Sequence, residues 1–278
     1  MYKALNYWVF GGFGPAKTPY EFIDFAAEQG LDGVELTVGD CLPEDIGEAE
    51  CRKIAAYAKD RGVGLRTLAT LAGWKTWLCS ADAAERTAAK AFCRRYLQIA
   101  AWLGAETVLV VPGAVRLKDK SRQMDYGEAW KFATDSLCEL QPEAERLGVN
   151  IGIENVGNSL LLAPMEWKLF LDQFGSERIG MYFDIGNCEK YMSPENYIRL
   201  LGRRIKAVHV KNWSAEGGFG EDILEGDVDV ASCVRALEAV GYSGPLTAEM
   251  IPMCRGADLR LPDYDLSVLT ARRMRVLA

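Results

Sequence analysis

Short apolar runs alternate along the whole chain with longer segments whose apolar residues recur at helical spacing. The short runs predict strands buried on both faces, and the longer segments predict amphipathic helices, so together they indicate βα units around a parallel sheet. Eight units can be counted, with predicted strands at Ala4–Phe10, Gly33–Thr37, Gly64–Thr70, Thr107–Val111, Asn150–Glu154, Gly180–Asp184, Ile205–Lys211 and Pro245–Met250.

The predicted helices carry residues typical of helix ends. Pro194 follows Ser193 at a first-turn position, and a glycine follows the end of five predicted helices. The eight predicted helices are Pro19–Gln29, Glu44–Arg61, Ala81–Leu103, Tyr126–Leu147, Pro164–Phe174, Pro194–Leu201, Val230–Val240 and Val268–Leu277. The glycines are Gly30, Gly62, Gly104, Gly148 and Gly241.

Eight consecutive βα units favour a closed (β/α)₈ barrel, the TIM barrel, over an open doubly wound sheet. An open sheet would more often carry a G-x-G-x-x-G turn after its first strand, and Gly11-Gly12-Phe13-Gly14 does not match that motif. No linker rich in proline, glycine or serine divides the series. We therefore expect residues 1–278 to form a single α/β barrel domain.

Composition narrows the classes of function. The 278 residues are 49% hydrophobic and 26% charged, which is typical of a folded globular protein. A formal net charge of −7 and the lack of a basic run argue against nucleic acid as a partner. No apolar stretch approaches the roughly 20 residues that span a bilayer, so we expect a soluble cytoplasmic protein. The eight cysteines form no C-x-x-C pair, and free thiols are expected.

Four consecutive predicted strands, the fifth to the eighth, carry a possible metal ligand at or near their carboxyl ends: Glu154, Asp184, His209 and Glu249. Active sites of barrels lie at these ends. Three buried carboxylates would repel one another unless a cation joined them. Three carboxylates and one imidazole suit one divalent metal, with Mn²⁺ as the first choice and Mg²⁺, Co²⁺ or Zn²⁺ as alternatives. His209 is the only histidine in the chain.

The order of the strands indicates a proton-transfer reaction that uses two glutamates. Glu154 and Glu249 end the two outer strands of this arc, so they should face each other across the metal. A keto sugar held between them could lose a proton to one glutamate and regain one from the other, while the metal stabilises the enediolate. Return to the opposite face is epimerisation, and return to the neighbouring carbon is aldose–ketose isomerisation. Both outcomes remain open.

The chain resembles the sugar phosphate isomerase/epimerase superfamily of xylose isomerase-like barrels, which includes ketose 3-epimerases and pentulose-5-phosphate 3-epimerases. The resemblance covers nearly the whole chain. It rests on Asp32-Gly-Val-Glu35, Ile153-Glu-Asn-Val156, Tyr182-Phe-Asp-Ile-Gly-Asn187, Val208-His-Val-Lys-Asn212, Leu224-Glu-Gly-Asp-Val-Asp229 and Leu246-Thr-Ala-Glu-Met250.

The resemblance implies that the four end-of-strand side chains bind the metal and that the two glutamates act as acid and base. It also implies that Glu35, Asn187 and Lys211 contact a sugar substrate. Free-ketose 3-epimerases of this family usually carry a histidine in place of Asn187, which favours a phosphorylated or otherwise modified sugar. Arg66, Arg116, Lys118 and Arg255 are candidate phosphate ligands.

Aromatic side chains near the first strands could form an apolar wall that excludes water from the sugar. These side chains are Trp8, Phe13, Trp74 and Trp77. Packing in the core is the alternative for each of them.

Three other functions are weighed against the isomerase. A lyase could use the same metal and base to expel a β-substituent from a 3-keto-glycoside, and the sequence does not exclude it. An abasic-site endonuclease would need more histidines and a basic groove. A non-catalytic sugar-binding barrel would not explain why four potential metal ligands are present at the strand ends. Homo-oligomer formation is left open.

Overall fold

The centre of the protein is a closed barrel of parallel strands. The computed structural model describes residues 1–220, 222–250 and 264–277. The barrel strands, named β1 to β8 in chain order, are Tyr2–Asn6, Gly33–Val38, Gly64–Thr70, Thr107–Val110, Asn150–Glu154, Ile179–Asp184, Ile205–Val210 and Pro245–Ala248. Consecutive strands pair, and β1 pairs with β8 to close the ring. The predicted (β/α)₈ barrel is confirmed.

Helices surround the barrel. Helices α1 to α11 are Tyr7–Gly11, Pro19–Glu28, Glu48–Asp60, Ala72–Lys75, Ala83–Leu103, Tyr126–Leu147, Pro164–Leu171, Ile185–Cys188, Pro194–Leu201, Val230–Ala239 and Tyr264–Val276. The five glycines predicted to follow helices all have positive φ, as chain reversal at a helix end favours. A small hairpin after β7 pairs Trp213–Ser214 with Gly218–Phe219.

The first strand is shorter than predicted. The apolar run Ala4–Phe10 suggested a strand throughout, but the chain leaves the sheet after Asn6 and forms α1. The side chain of Asn6 accepts a hydrogen bond from the backbone N–H of Trp8, so it caps α1 at its amino end. This cap competes locally with the extended conformation that the apolar run favours.

Strand burial explains why the apolar runs are nearly continuous. Every residue of β2 and of β6 is buried, since one face packs inside the barrel and the other against the helices. None of the described helices is long and apolar enough to cross a membrane. The expectation of a single domain over residues 1–278 stays a prediction.

The barrel brings the amino ends of β1, β2 and β3 into very close contact. A Cβ atom at Gly33 would lie 1.5 Å from the hydroxyl of Tyr2 and 2.4 Å from the carbonyl oxygen of Gly64. The backbone of β3 cannot retreat without disturbing the pairing of the two strands. Position 33 therefore requires glycine for space rather than for its φ.

We expect Gly33→Ala to lower the free energy of unfolding by about 1–3 kcal/mol or more, because the methyl group overpacks this junction. Urea unfolding followed by circular dichroism measures the change. Gly175→Ala is the control, since a Cβ there meets nothing within 4 Å. Equal stability of the two variants would contradict the close approach of these strands.

Candidate metal centre

The four predicted ligands converge at the carboxyl end of the barrel. Glu154 and Asp184 are the last residues of β5 and β6, His209 lies one residue before the end of β7, and Glu249 directly follows β8. Strand pairing sets Asp184 level with His209. One donor atom from each side chain lies within 4.8 Å of every other, and all four residues are buried. Such a group could hold one metal ion.

The ring nitrogen Nδ1 of His209 faces the carboxylates. It lies 3.2 Å from Oε1 of Glu154 and 3.5 Å from Oε1 of Glu249. The oxygen Oδ2 of Asp184 is buried and makes no hydrogen bond, although the ammonium of Lys211 lies 2.8 Å away outside hydrogen-bonding geometry. A buried carboxylate oxygen without a hydrogen bond is costly, and a cation at this point would satisfy it.

Burial and crowding shift the pKa values of these groups. Desolvation, reinforced by the charge of Glu249, raises the pKa of Glu154 to about 7. Desolvation also raises the pKa of Asp184. Burial alone would lower the pKa of His209, but the carboxylates of Glu249 and Glu35 outweigh it and raise that pKa well above its usual value. All three groups therefore tend to keep a proton, as expected where negative charge is in excess. A divalent cation would reverse this tendency.

Lys211 supplies the positive charge nearest to the carboxylates. Its ammonium donates a hydrogen bond to Oε2 of Glu249 at 2.6 Å and lies 2.8 Å from Oδ2 of Asp184. The ring of Phe219, on the hairpin after β7, lies 5.1 Å from the same nitrogen. These carboxylates raise the pKa of Lys211 well above its usual value, although burial opposes the rise. The lysine is therefore part of the charge cluster as well as of the cavity wall.

Glu35 contacts protein side chains through both carboxylate oxygens, and its predicted contact with a substrate stays a prediction. It is fully buried in β2, and its Oε1 is 2.7 Å from Nε2 of His209 and accepts a hydrogen bond from Asn6 at 2.7 Å. Its Oε2 accepts a hydrogen bond from the hydroxyl of Tyr182. Burial alone would raise the pKa of Glu35, but His209 and these hydrogen bonds hold it below its usual value. Both oxygens are thus engaged by protein groups, and Glu35 does not line the cavity.

Two asparagines hold the backbone around Asp184. The side chain of Asn155 accepts a hydrogen bond from the N–H of Asp184 and donates one to its carbonyl oxygen, both at 2.8 Å. Asn187 donates its backbone N–H to Oδ1 of Asp184 and its amide to the carbonyl oxygen of Asn155, again at 2.8 Å. Since these bonds engage one carboxylate oxygen and both backbone groups, the other oxygen, Oδ2, is held towards Lys211 and the cluster.

A cavity of about 200 Å³ opens above the cluster. Glu154 and Glu249 line it together with Asn187 and Lys211. Its remaining walls are largely apolar: Trp8, Thr70, Leu71, Trp74, Leu109, Val111, Val156, Gly157 and Phe219. The volume is below the roughly 300–1,000 Å³ of drug-sized ligand sites, so it suits a small molecule.

The four predicted wall aromatics separate into two groups. Trp8 and Trp74 line the cavity, and Phe13 packs on Trp8 with 5.6 Å between ring centroids. Trp77 is 1% exposed, and the guanidinium of Arg122 lies 3.5 Å from its ring centroid. The suggestion that Trp77 faces the sugar is therefore wrong, because its ring packs in the core beneath Arg122.

One candidate phosphate ligand is occupied elsewhere. Arg66 makes a two-pronged ion pair with Glu106 at 2.7 and 2.8 Å, near the amino end of β3 and away from the cluster. Of the described residues that line the cavity, Lys211 carries the one positive charge. Arg255 lies outside the described residues.

Several residues at the site are not predicted by the sequence pattern. Asn6, Asn155 and Tyr182 are buried and form hydrogen bonds with the cluster or with Glu35. Phe219 lies in a hairpin whose two strands have only two residues each. Asn155 could have been suspected, since it directly follows a ligand at a strand end. Asn6 and Tyr182 act through contacts with Glu35, which is distant in sequence, and a single sequence does not reveal such contacts.

Known proteins of similar sequence and structure include sugar epimerases. L-ribulose 3-epimerase of Mesorhizobium japonicum is 25% identical over 229 residues, which cover 80% of this chain and 72% of that protein. An uncharacterized protein of Methanocaldococcus jannaschii is 27% identical over 120 residues, which are 41% of each chain. The chain thus spans less than half of that second relative.

Three solved structures share the fold. A D-psicose 3-epimerase determined in the presence of D-fructose has a TM-score of 0.82 at 21% identity, with 99% of this chain and 97% of that chain covered. The 3-keto-D-glucoside 4-epimerase YcjR from E. coli has a TM-score of 0.76 at 16% identity, with 99% of each chain covered. The IOLI protein with a bound zinc atom has a TM-score of 0.75 at 17% identity, with 100% of this chain and 95% of that chain covered.

The sequence model of the xylose isomerase-like TIM barrel family matches residues 23–268, which is most of the chain. The match includes the described strands from β2 to β8 and all four candidate ligands. Together with the closed parallel barrel, it establishes that this protein belongs to the xylose isomerase-like TIM barrel family.

Proposed function

We propose that this protein is a divalent-metal-dependent isomerase that epimerises or isomerises a small keto sugar by proton transfer. The observation that carries the proposal is the buried cluster of three carboxylates and one imidazole beneath a small cavity. The sugar epimerases among the similar proteins support the same class of reaction.

The donor set fits a divalent cation. Glu154, Asp184, His209 and Glu249 each offer one donor atom within 4.8 Å of the others, and Oδ2 of Asp184 lacks a hydrogen bond. Oxygen donors with one imidazole suit Mn²⁺ best, and also Mg²⁺, Co²⁺ or Zn²⁺. When bound, such a cation polarises the sugar carbonyl and stabilises the negative charge of the enediolate.

The two glutamates are suited to move the proton. Both line the cavity, and they come from strands at opposite ends of the arc from β5 to β8. Lys211 donates a hydrogen bond to Oε2 of Glu249, whereas Oε1 of Glu154 faces the imidazole of His209, whose Nδ1 lies 3.2 Å away. We assign Glu249 as the base and Glu154 as the acid in one direction of the reaction, with the roles exchanged in reverse.

The other cavity residues would hold and shield the sugar. Asn187 and Lys211 present polar groups to the cavity and are proposed to bind sugar hydroxyls. Trp8 and Trp74 provide apolar surface against a sugar ring and limit the access of water to a reactive intermediate. Glu35, although expected to contact substrate, is assigned a different role below.

A lyase that eliminates a β-substituent from a 3-keto-glycoside would use the same first proton transfer. The structural similarity to a 3-keto-D-glucoside 4-epimerase makes keto-glycosides reasonable substrates to include. A screen of ketoses, their phosphates and 3-keto-glycosides in D₂O separates the outcomes. Deuterium in an intact product supports epimerase or isomerase, and release of an aglycone supports lyase.

Metal binding should stabilise the folded protein. At a free metal concentration 100-fold above Kd, we expect Mn²⁺ to add about 2.7 kcal/mol to the free energy of unfolding. Asp184→Asn should lose most of this gain, because it weakens a ligand, whereas Asp135→Asn on the surface of α6 should keep it. Thermal unfolding with Mn²⁺ and with EDTA measures the difference. No gain for the wild type would remove the basis of the proposed chemistry.

Removing either glutamate should separate proton exchange from inversion. We expect Glu154→Gln and Glu249→Gln to lower the turnover of an epimerised substrate by about 10²–10⁴-fold, the usual contribution of a general acid or base. Each variant should still exchange substrate hydrogen with D₂O on the face that the remaining glutamate serves. Nuclear magnetic resonance at saturating metal follows both processes. Full turnover in either variant would refute the acid and base assignment.

Trp74 offers a test of the substrate wall. It is 37% exposed and lines the cavity. We expect Trp74→Ala to raise KM for the sugar more than it lowers kcat, because the indole supplies contact area rather than a reacting group. Trp102→Ala, in α5, is the matched control and should leave both constants unchanged. An unchanged KM in Trp74→Ala would show that the sugar does not contact this wall.

A further inference from the structure

A continuous chain of buried hydrogen bonds runs from His209 to the first wall residue of the cavity. It passes through Glu35 and Asn6 and ends at the backbone of Trp8. We infer that Asn6 and Glu35 are positioning residues that orient the His209 ring towards the metal. They also connect this ligand by hydrogen bonds to Trp8, which lines the cavity. The inference rests on the metal site proposed above.

The first step concerns the two ring nitrogens of His209. Nε2 lies 2.7 Å from Oε1 of Glu35, and an ionised carboxylate can only accept a hydrogen bond. Glu35 therefore selects the form of the imidazole that is protonated at Nε2. The lone pair of Nδ1 is then directed at the cluster, where Glu154 and Glu249 lie 3.2 and 3.5 Å away. Carboxylates commonly orient metal-binding histidines in this way.

The second step concerns what holds Glu35. Its carboxylate is fully buried and is restrained from two further sides, by the amide of Asn6 on Oε1 and the hydroxyl of Tyr182 on Oε2. The ring of Tyr182 also packs against His209, with 4.5 Å between ring centroids. Rotation of the carboxylate would break at least one of these contacts. The direction of the imidazole thus depends on Glu35 and on the two residues that donate hydrogen bonds to Glu35, Asn6 and Tyr182.

The third step concerns Asn6, whose side chain serves two elements at once. Its amide donates to Glu35, and its Oδ1 accepts from the N–H of Trp8 at 2.7 Å and so begins α1. Asn6 and Glu35 are direct partners in the pairing of β1 with β2, which fixes their separation. The indole N–H of Trp8 donates to Asp40 at 2.7 Å, which fixes the other end of this wall residue. A displacement of Asn6 would therefore change the positions of both His209 and Trp8.

Asn6→Asp is the sharpest test, because the replacement is nearly isosteric. It keeps an oxygen acceptor for the N–H of Trp8, removes the amide donor, and turns an oxygen towards Glu35. We expect the Kd for Co²⁺ to rise at least about tenfold, within the 10–100-fold range typical of lost outer partners of metal ligands. We also expect the visible absorption of bound Co²⁺ to change, because the imidazole loses its fixed direction.

The matched control is Asn150→Asp at the amino end of β5. Asn150 also uses its amide as a donor, to Thr107 at 3.1 Å, and its oxygen as an acceptor, from Arg178 at 3.2 Å, but it lies at the opposite end of that strand from Glu154. This variant should bind Co²⁺ with the affinity and absorption spectrum of the wild type. A merely structural effect of replacing a strand asparagine would affect both variants alike.

Asn6→Ser covers the case in which Asn6→Asp does not fold. Serine can also cap a helix, but it is too short to keep the amide contact with Glu35. The inference predicts the same loss of Co²⁺ affinity and the same spectral change. If either folded Asn6 variant binds Co²⁺ with unchanged affinity and spectrum, the positioning role is refuted. If the wild type itself binds no Co²⁺, the proposed function fails instead.

Discussion

The concentration of buried negative charge at one end of the barrel is the constraint on which the rest of the site depends. Among the described residues, Glu35, Glu154, Asp184 and Glu249 share this region with Lys211 and His209, so these carboxylates outnumber the two positive groups even when the imidazole is protonated. Burial, reinforced by the negative charge of Glu249, raises the pKa of Glu154 to about 7. A divalent cation is the simplest counter-charge that this donor set can accept.

The surrounding polar groups keep this unfavourable arrangement in place. Asn155 holds the backbone of Asp184 from both sides, and Glu35 holds the ring of His209. Asn155 follows β5, the strand paired with β6, whereas Glu35 reaches His209 from β2, which does not pair with β7. The pairing of the strands in the closed barrel leaves little freedom for relative movement. A site that is organised before ligand binding loses little free energy to rearrangement when a metal and a sugar enter, and this is how enzymes achieve electrostatic stabilisation.

The barrel by itself does not determine the reaction, because this fold hosts many unrelated functions. Function depends on what the strand ends and the following loops present to the cavity. Here two glutamates line an apolar cavity above the cluster, with Lys211 beside one of them. That asymmetry gives two carboxylates of the same type different surroundings, which is the usual way in which one site obtains both an acid and a base.

The sequence by itself determined the barrel and pointed to the four residues that converge at the candidate metal centre, because both follow from local patterns. Alternating βα units indicate the fold, and Glu154, Asp184 and His209 each close an apolar run. The tertiary structure alone decided which polar groups act together. Asn6 meets Glu35 through pairing of separate strands, Trp77 lies beneath Arg122 rather than over the cavity, and Asn6 ends β1 early. Such contacts depend on strand register and side-chain direction, which residues distant in sequence set jointly.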